Sequence, residues 1–485
     1  MDDHPKEYCG VFGVLDPALS SLGHHLYYGM FALQHRGQES CGMAVYDNDQ
    51  LRIHKDMGLV NQVFSQSMLE KMTGQVGLGH TRYSTTGASH LDNAQPVVAR
   101  TRLGAITLAH NGNLINTREL RDFLKSHGVF GVGDSDSHLM AHYIRHVLQE
   151  DTPQGERSLI DAVQKTLQAC RGAFSIVVAS GDTLIAARDP HGIRPLCYGL
   201  TDNGGVVIAS ETCALDIVGA RYERDVAPGE ILAFTLDGRT EQAFLPESGP
   251  ERFCFFELVY FARPDSRLFG HSVYHYRLGL GKRLAQISAE SGLGGSDADY
   301  VVPVPDSGNV AAVGYSQESG IPYMEGLIKN RYVGRTFIHP SQELRQRSIQ
   351  LKLNPLTDVL RGKSIVVIDD SIVRGNTSRK LVEMFRACGV REIHMRISSA
   401  QVKHPCFYGI DMSQEDELIA NQMDVDAIRR WLGVDSLAYL SPQDMQAVGL
   451  GLPYCMACFN NDYPAGRPPE PTRRRVSSRS EKPAS

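Results

Sequence analysis

The chain has 485 residues, 42% hydrophobic and 21% charged, with 46 glycines and 23 prolines. This is ordinary globular usage with room for two or three domains, and it excludes collagen-like, coiled-coil and wholly disordered classes. Against 55 acidic side chains stand 49 basic ones, net −6, so general nucleic-acid binding has no electrostatic support. No apolar run approaches the roughly 20 residues that cross a bilayer. The acidic, polar N-terminus MDDHPKEYCG is unlike a secretory signal. The expectation is a cytoplasmic protein without membrane or nucleic-acid partners. Its ten cysteines, at 9, 41, 170, 197, 213, 254, 388, 406, 455 and 458, are too sparse for a disulfide scaffold. They should be reduced thiols, with any special ones catalytic or metal-bound.

In chain order, the first half reads as short strands broken by Gly-rich turns: 9–16, 75–85, 105–114, 173–189 and 204–212. Helical patterns at 116–128 and 136–149 lie between them. Many closely spaced strands with few helices predict stacked sheets covered by helices. The polar, turn-rich stretch PESGPERF (246–253) marks a domain junction. Beyond it, a helix over 274–290 precedes a strand in DYVVPVPDSG, a helix at 309–320 and a basic segment, KNRYVGRTF (329–337). The strand SIVVIDDS, a helix at 377–389 and the strand REIHMRISSA follow. Strand–helix–strand order with continuously apolar strands predicts a parallel sheet buried on both faces. The tail, 465–485, holds four prolines, six basic and two acidic side chains, and reads as a disordered basic extension of unassigned purpose.

Three groups of residues carry chemistry. Cys9 heads the first strand behind an eight-residue leader, MDDHPKEY. Taken alone it reads as a buried strand thiol. Were the leader removed, the new α-amine, with a pKa near 8, would serve as base for its own thiol.

The second group is SIVVIDDSIVRGNTS (364–378), where a buried strand ends in Asp369 and Asp370 and a loop then opens a helix at Ser378. Ligands of open α/β sheets bind at such strand ends. The Ser/Thr/Gly loop offers backbone N–H groups to a phosphate, and the paired acids suit ribose hydroxyls and magnesium. The absence of GxxxxGK[ST] excludes an ordinary NTP P-loop.

The third group is the CxxC pair Cys455 and Cys458, with Cys406 49 residues upstream of the pair and Cys254 152 residues before that. Spacing leaves a redox pair, a zinc site and an iron–sulfur site open, with zinc as the default. The remaining five thiols, Cys41, Cys170, Cys197, Cys213 and Cys388, read as core residues.

The ordered motifs CGVFGV, LQHRGQES, GHTRYSTTG, HNGNL and GDSDS closely resemble the class II glutamine amidotransferase domain of N-terminal-nucleophile hydrolases. The resemblance implies that Cys9 attacks the glutamine side-chain amide. Arg82 binds the glutamine α-carboxylate, and Asp136 its α-ammonium. Asn111 and the backbone N–H of Gly112 form the oxyanion hole. It further implies a propeptide, 1–8, cleaved between Tyr8 and Cys9.

Residues 364–378 look like the 5-phosphoribosyl-1-pyrophosphate (PRPP) motif of type I phosphoribosyltransferases. That implies Asp369 and Asp370 on ribose and magnesium, joined by Ser307. Arg374, Gly375, Asn376, Thr377 and Ser378 would surround the 5′-phosphate. Lys329, Arg331 and Arg335 would face pyrophosphate from a mobile flap.

Both halves together resemble the amidophosphoribosyltransferase family, iron–sulfur branch. The implied fold is an α+β N-terminal-nucleophile hydrolase domain of stacked antiparallel sheets covered by helices (9–245). An α/β type I phosphoribosyltransferase domain with a parallel sheet and a C-terminal cluster-binding segment (246–464) follows. The implied reaction converts PRPP, glutamine and water to 5-phosphoribosylamine, pyrophosphate and glutamate, opening de novo purine synthesis. The resemblance also implies Mg2+, a [4Fe–4S] cluster on Cys254, Cys406, Cys455 and Cys458, a homotetramer, and feedback by purine nucleotides. The competing readings are another class II glutamine amidotransferase and a PRPP-sensing regulatory protein. The PRPP motif opposes the first, and the N-terminal motifs oppose the second.

Overall fold

The structure is a computed structural model. It describes residues 9–18, 22–48, 50–83, 90–101, 104–150, 158–246, 249–330, 353–412, 414–449 and 451–469.

Thirteen strands build the first part: β1 Gly10–Leu15, β2 Ser40–Asp47, β3 Gln50–Met57, β4 Val76–Arg82, β5 Val97–Thr101, β6 Gly104–Leu114 and β7 Gly172–Ser180, then β8 Thr183–Arg188, β9 Cys197–Leu200, β10 Val206–Ala209, β11 Arg221–Asp225, β12 Glu230–Thr235 and β13 Thr240–Phe244. They form two antiparallel sheets, ordered β11-β9-β10-β1-β4-β2-β3 and β13-β12-β8-β7-β6-β5. The sheets pack through Val11, Leu78, Val177, Leu184 and Ile208. The helix Leu22–Ala32 covers the first sheet's outer face, and the helices Asp136–Gln149 and Leu159–Ala169 cover the second's. This is the expected stack of sheets between helices; β1, which Cys9 precedes, is the middle strand of the first sheet, and β6, which carries Asn111, lies one strand in from the edge of the second. β3, by contrast, is polar and largely exposed and offers no apolar run to read.

The second part begins with β14 Phe253–Cys254, a short hairpin of β15 Arg267–Leu268 and β16 His271–Ser272, and the helix Val273–Ser291. Then come β17 Tyr300–Pro303, β18 Leu327–Lys329, β19 Leu353–Pro355, β20 Ser364–Asp369, β21 Glu392–Ile397, β22 Ser436–Tyr439 and β23 Tyr454–Cys455. A parallel sheet, β17-β20-β21-β22, is the core. Side chains alternate along a strand, so Val366 and Ile368 face the helices Val273–Ser291 and Asn309–Ser319. Ile365 and Val367 face the helices Asn376–Ala387 and Val425–Leu432. Burial on both faces explains the uninterrupted apolar run.

Three expectations need correction. The phosphate-loop helix starts at Asn376, two residues before Ser378, so Asn376 and Thr377 lie in its first turn. The extension expected from 465 is anchored at its start: Ala465 N–H donates to Tyr408 Oη at 2.9 Å, which in turn donates to the Gly466 carbonyl at 2.8 Å. This pairing satisfies backbone groups that a free tail would leave to water. Residues 470–485 lie outside the described residues. Cys41, Cys170, Cys197 and Cys213 are buried as expected, whereas Cys388 is half-buried at a helix end, 3.2 Å from Thr357 Oγ1.

Candidate functional site

Two sites emerge, one on each sheet system. At the first, Cys9 precedes β1 and is half-buried, its thiol 3.8 Å from the Tyr83 carbonyl. Burial pushes its pKa up, while a backbone hydrogen bond at Tyr83 and the guanidinium groups of Arg82 and Arg36 act the other way. Asp136 also acts on this thiol, so Cys9, Arg82 and Asp136 share one electrostatic neighbourhood. The next residue must be glycine, because a Cβ on Gly10 would lie 2.7 Å from Thr81 Oγ1.

Arg82 ends β4, almost fully buried, with Nη1 3.2 Å from Glu39 Oε1. Asp136 opens its helix next to the cap residue Ser135 and accepts from Leu114 N–H at 3.2 Å and Ser137 N–H at 2.8 Å. Burial alone would raise its carboxyl, but His110 Nδ1 at 3.4 Å and those N–H groups outweigh burial, and the pKa is lowered. The group is therefore a carboxylate at neutral pH.

Asn111 lies in β6 with its side chain wholly buried, and both polar atoms of its amide lack a hydrogen-bond partner among the described residues. Such an orphaned amide is costly and is the signature of a group waiting for a ligand. Gly112 beside it has φ +146°, and a Cβ there would lie 2.1 Å from the Ala173 carbonyl. Only glycine lets the strand carry this backbone N–H so close to β7. Cys9 and Arg82 thus share a neighbourhood with Asp136, which contacts His110 and Leu114 on either side of Asn111 and Gly112 in β6.

Sequence reasoning did not single out Arg36, His110, Glu211 and Glu257. Arg36 Nε donates to the Cys9 carbonyl at 3.2 Å, and its other nitrogens reach Glu211 at 2.6 Å and Glu257 at 2.8 Å. The clue was available: an acid inside the apolar run FCFFELVYF must be buried against a cation.

At the second site, β20 delivers Asp369 and Asp370, both fully buried, to its carboxyl end. The loop after β17 brings Ser307 Oγ to 2.6 Å from Asp370 Oδ1. Gly308 permits this approach, since a Cβ there would lie 2.4 Å from the Ile368 carbonyl. Ser371 Oγ caps the other oxygen of Asp370 at 2.5 Å.

Gly375, at φ +82°, turns the chain into the helix, and the Thr377 and Ser378 side chains are buried beneath that turn. Asn376 is exposed at its tip. Arg374 is drawn aside: its Nε donates to Glu417 Oε2 at 2.8 Å. Lys329 pairs with Asp306 at 2.5 Å, on the loop that carries Ser307. Arg331 and Arg335 lie outside the described residues.

The four remaining cysteines gather where β14 meets β23. β14 and β23 pair in parallel, setting Cys254 opposite Cys455. Cys458 is influenced by Cys406, Cys455 and Cys254 together, and burial pushes its pKa well up. Cys406 Sγ accepts from Tyr408 N–H at 3.4 Å. Among the described residues, no three His, Cys, Asp or Glu side chains converge as a single ion requires. No helix of the described residues is long and apolar enough to cross a membrane.

Residues 80–216 match the family model of the glutamine amidotransferase domain. The chain is 48% identical to the amidophosphoribosyltransferase of Synechococcus elongatus, over 98% of this chain and 94% of that one. To the Synechocystis enzyme of the same name it is 50% identical, over 95% and 92%. Arabidopsis thaliana amidophosphoribosyltransferase 2, chloroplastic, is 45% identical over 96% of this chain and 80% of its own length. Among solved structures, the glutamine PRPP amidotransferase of B. subtilis, complexed with ADP and GMP, superposes with a TM-score of 0.85 at 41% identity, covering 94% of this chain and 97% of that one. The chain therefore belongs to the amidophosphoribosyltransferase family and catalyses the glutamine-dependent amination of PRPP to 5-phosphoribosylamine, the first step of purine biosynthesis.

Proposed function

We propose that the reaction is divided between a glutaminase domain, 9–245, and a phosphoribosyltransferase domain, 246–464, with the residue roles as follows. Cys9, freed of propeptide 1–8, attacks the glutamine amide, its own α-amine taking the thiol proton. Arg82 and Asp136 hold the α-carboxylate and α-ammonium of glutamine by charge-assisted bonds. The Asn111 amide and Gly112 N–H stabilise the tetrahedral oxyanion. The buried, unpartnered Asn111 amide beside Gly112 carries this assignment. Glutamyl thioester formation releases ammonia, and water then frees glutamate and the thiol.

In the second domain Asp369 and Asp370 take the ribose hydroxyls, while Gly375, Asn376, Thr377 and Ser378 cradle the 5′-phosphate with Arg374. Lys329, Arg331 and Arg335 face the pyrophosphate. Ammonia attacks C1 as pyrophosphate leaves, so the protein's part is to position reactants and stabilise charge. The two buried carboxylates and the Ser307 hydroxyl form an all-oxygen set suited to Mg2+; the ion would neutralise the departing pyrophosphate.

Four mostly buried thiols in mutual electrostatic range support a [4Fe–4S] cluster here. Cys254, Cys406, Cys455 and Cys458 would hold it as a structural staple at the junction. The nucleotides on the B. subtilis relative support feedback by purine nucleotides here. A cytoplasmic homotetramer completes the reading.

Glutamine hydrolysis and ammonium-dependent synthesis, measured for wild type and Cys9→Ala, test the division. Loss of the first by about 10³-fold or more with survival of the second is expected. Glutamine turnover surviving in Cys9→Ala refutes the nucleophile, and an intact mass that retains Met1–Tyr8 in active protein refutes the cleavage.

A further inference from the structure

The two domains meet in a buried charge network that none of these roles uses. Arg36, Arg194, Glu211 and Glu257 are all 0% exposed. Arg36 lies between the Cys9 carbonyl, Glu211 and Glu257. Glu257 comes from the second domain, and its Oε1 also receives Arg194 Nη1 at 3.4 Å. Arg194 in turn donates from Nε to the Tyr408 carbonyl at 3.0 Å.

A second thread runs beside the first. Asn113, two residues after Asn111 in β6, donates from Nδ2 to the Phe407 carbonyl at 2.9 Å. A Cβ on Gly409 would lie 3.3 Å from the Gly112 backbone, so this segment abuts the oxyanion strand itself. Glu257 and residues 407–409 thus grip the nucleophile's backbone and the oxyanion strand at the same time.

Buried ion networks are weak evidence for stability, since apolar side chains of similar volume often serve as well. What such a network does supply is a single geometry. A mature Cys9 would have no preceding residue to fix it, so the bond from Arg36 to its carbonyl sets where amine and thiol point. Misplacement by about 1 Å is enough to cost on the order of 10² in rate.

We propose that Glu257 is a positioning residue for glutamine hydrolysis. Through Arg36 it fixes the Cys9 backbone, and through Arg194 it ties that backbone to residues 407–409, so hydrolysis requires the second domain in place. The proposal rests on Cys9 as nucleophile and Asn111–Gly112 as oxyanion hole.

The test is Glu257→Gln in the full-length protein, which keeps shape and removes charge. Expected are a glutaminase kcat lowered about tenfold or more with KM for glutamine within about threefold, and ammonium-dependent synthesis within about twofold of wild type. The rate of Cys9 alkylation by an electrophilic glutamine analogue, read by mass, should fall with kcat. Glu257→Asp should recover part of the rate. Asn113→Ala, which leaves no buried charge unpaired, should show the same split more weakly, and it decides the matter if Glu257→Gln does not fold. An unchanged glutaminase kcat overturns the proposal, as does a parallel loss of both activities with a lowered unfolding temperature. Glutamine hydrolysis by Cys9→Ala would instead overturn the nucleophile assignment underneath it.

Discussion

Ser307 Oγ lies 2.6 Å from Asp370 Oδ1, joining the loops that follow two neighbouring parallel strands. The contact gathers a hydroxyl and two buried carboxylates at the carboxyl edge of the sheet, where open α/β folds bind ligands. Two adjacent buried acids are expensive unless a cation or hydroxyl groups answer them.

Asp370→Asn removes one of those charges without changing shape. Synthesis of phosphoribosylamine from either glutamine or ammonium should fall by about 10²-fold or more, with the Mg2+ concentration for half-maximal rate raised. Steady-state kinetics over a magnesium series checks it; an unaltered magnesium dependence would place the ion elsewhere.

The Arg374–Glu417 pair bears on affinity for PRPP. Arg374 is expected at the 5′-phosphate, yet its guanidinium is held by Glu417 across 43 residues. A phosphate must compete with that carboxylate. Glu417→Gln should therefore lower KM for PRPP several-fold, equivalent to about 1 kcal/mol, while Arg374→Gln raises it. A Glu417→Gln variant with raised KM would show that the pair orients Arg374 for the phosphate.

The apolar strand Ser364–Asp369 was legible because burial on both faces leaves an uninterrupted run and a strand-end ligand loop follows it directly. The residues proposed for the glutaminase centre were legible because each sits in a short glycine-bearing motif whose backbone demands are local. β3 was not, because an exposed strand has no need of apolar residues. Glu257 was not paired because Arg36 stands 221 residues away and Arg194 63. A lone acid in an apolar run announces a buried partner without saying which. The anchored start of the tail was equally hidden, since Tyr408 holds Ala465 and Gly466 through backbone atoms that carry no sequence mark.

The cysteine quartet predicts a composition. Anaerobically purified protein should carry about four irons and four labile sulfides per chain. Cys455→Ser should lose most of both and lower the unfolding temperature, because β14 and β23 join at Cys254 and Cys455. Stoichiometric zinc without iron would reassign the site.

Acid stability depends on His80. Its ring is fully buried on β4, with Nε2 3.0 Å from the His110 carbonyl. Burial lowers its pKa to about 3; the hydrogen bond to the His110 carbonyl opposes this, and the nearby charges of Arg82 and Lys55 reinforce it. An unfolded histidine titrates near 6.5, so between that value and about 3 the unfolded chain binds a proton that the folded chain refuses. Stability then rises with pH across this window and falls on acidification, by up to about 1.4 kcal/mol per pH unit from this ring. His138, lowered to about 4 by burial, adds to the same slope above that pH. His80→Gln keeps a donor for the His110 carbonyl and cannot titrate. Its denaturant midpoint should therefore decline less steeply than wild type between pH 6 and pH 4.5, and identical slopes would show that His80 does not carry the acid sensitivity.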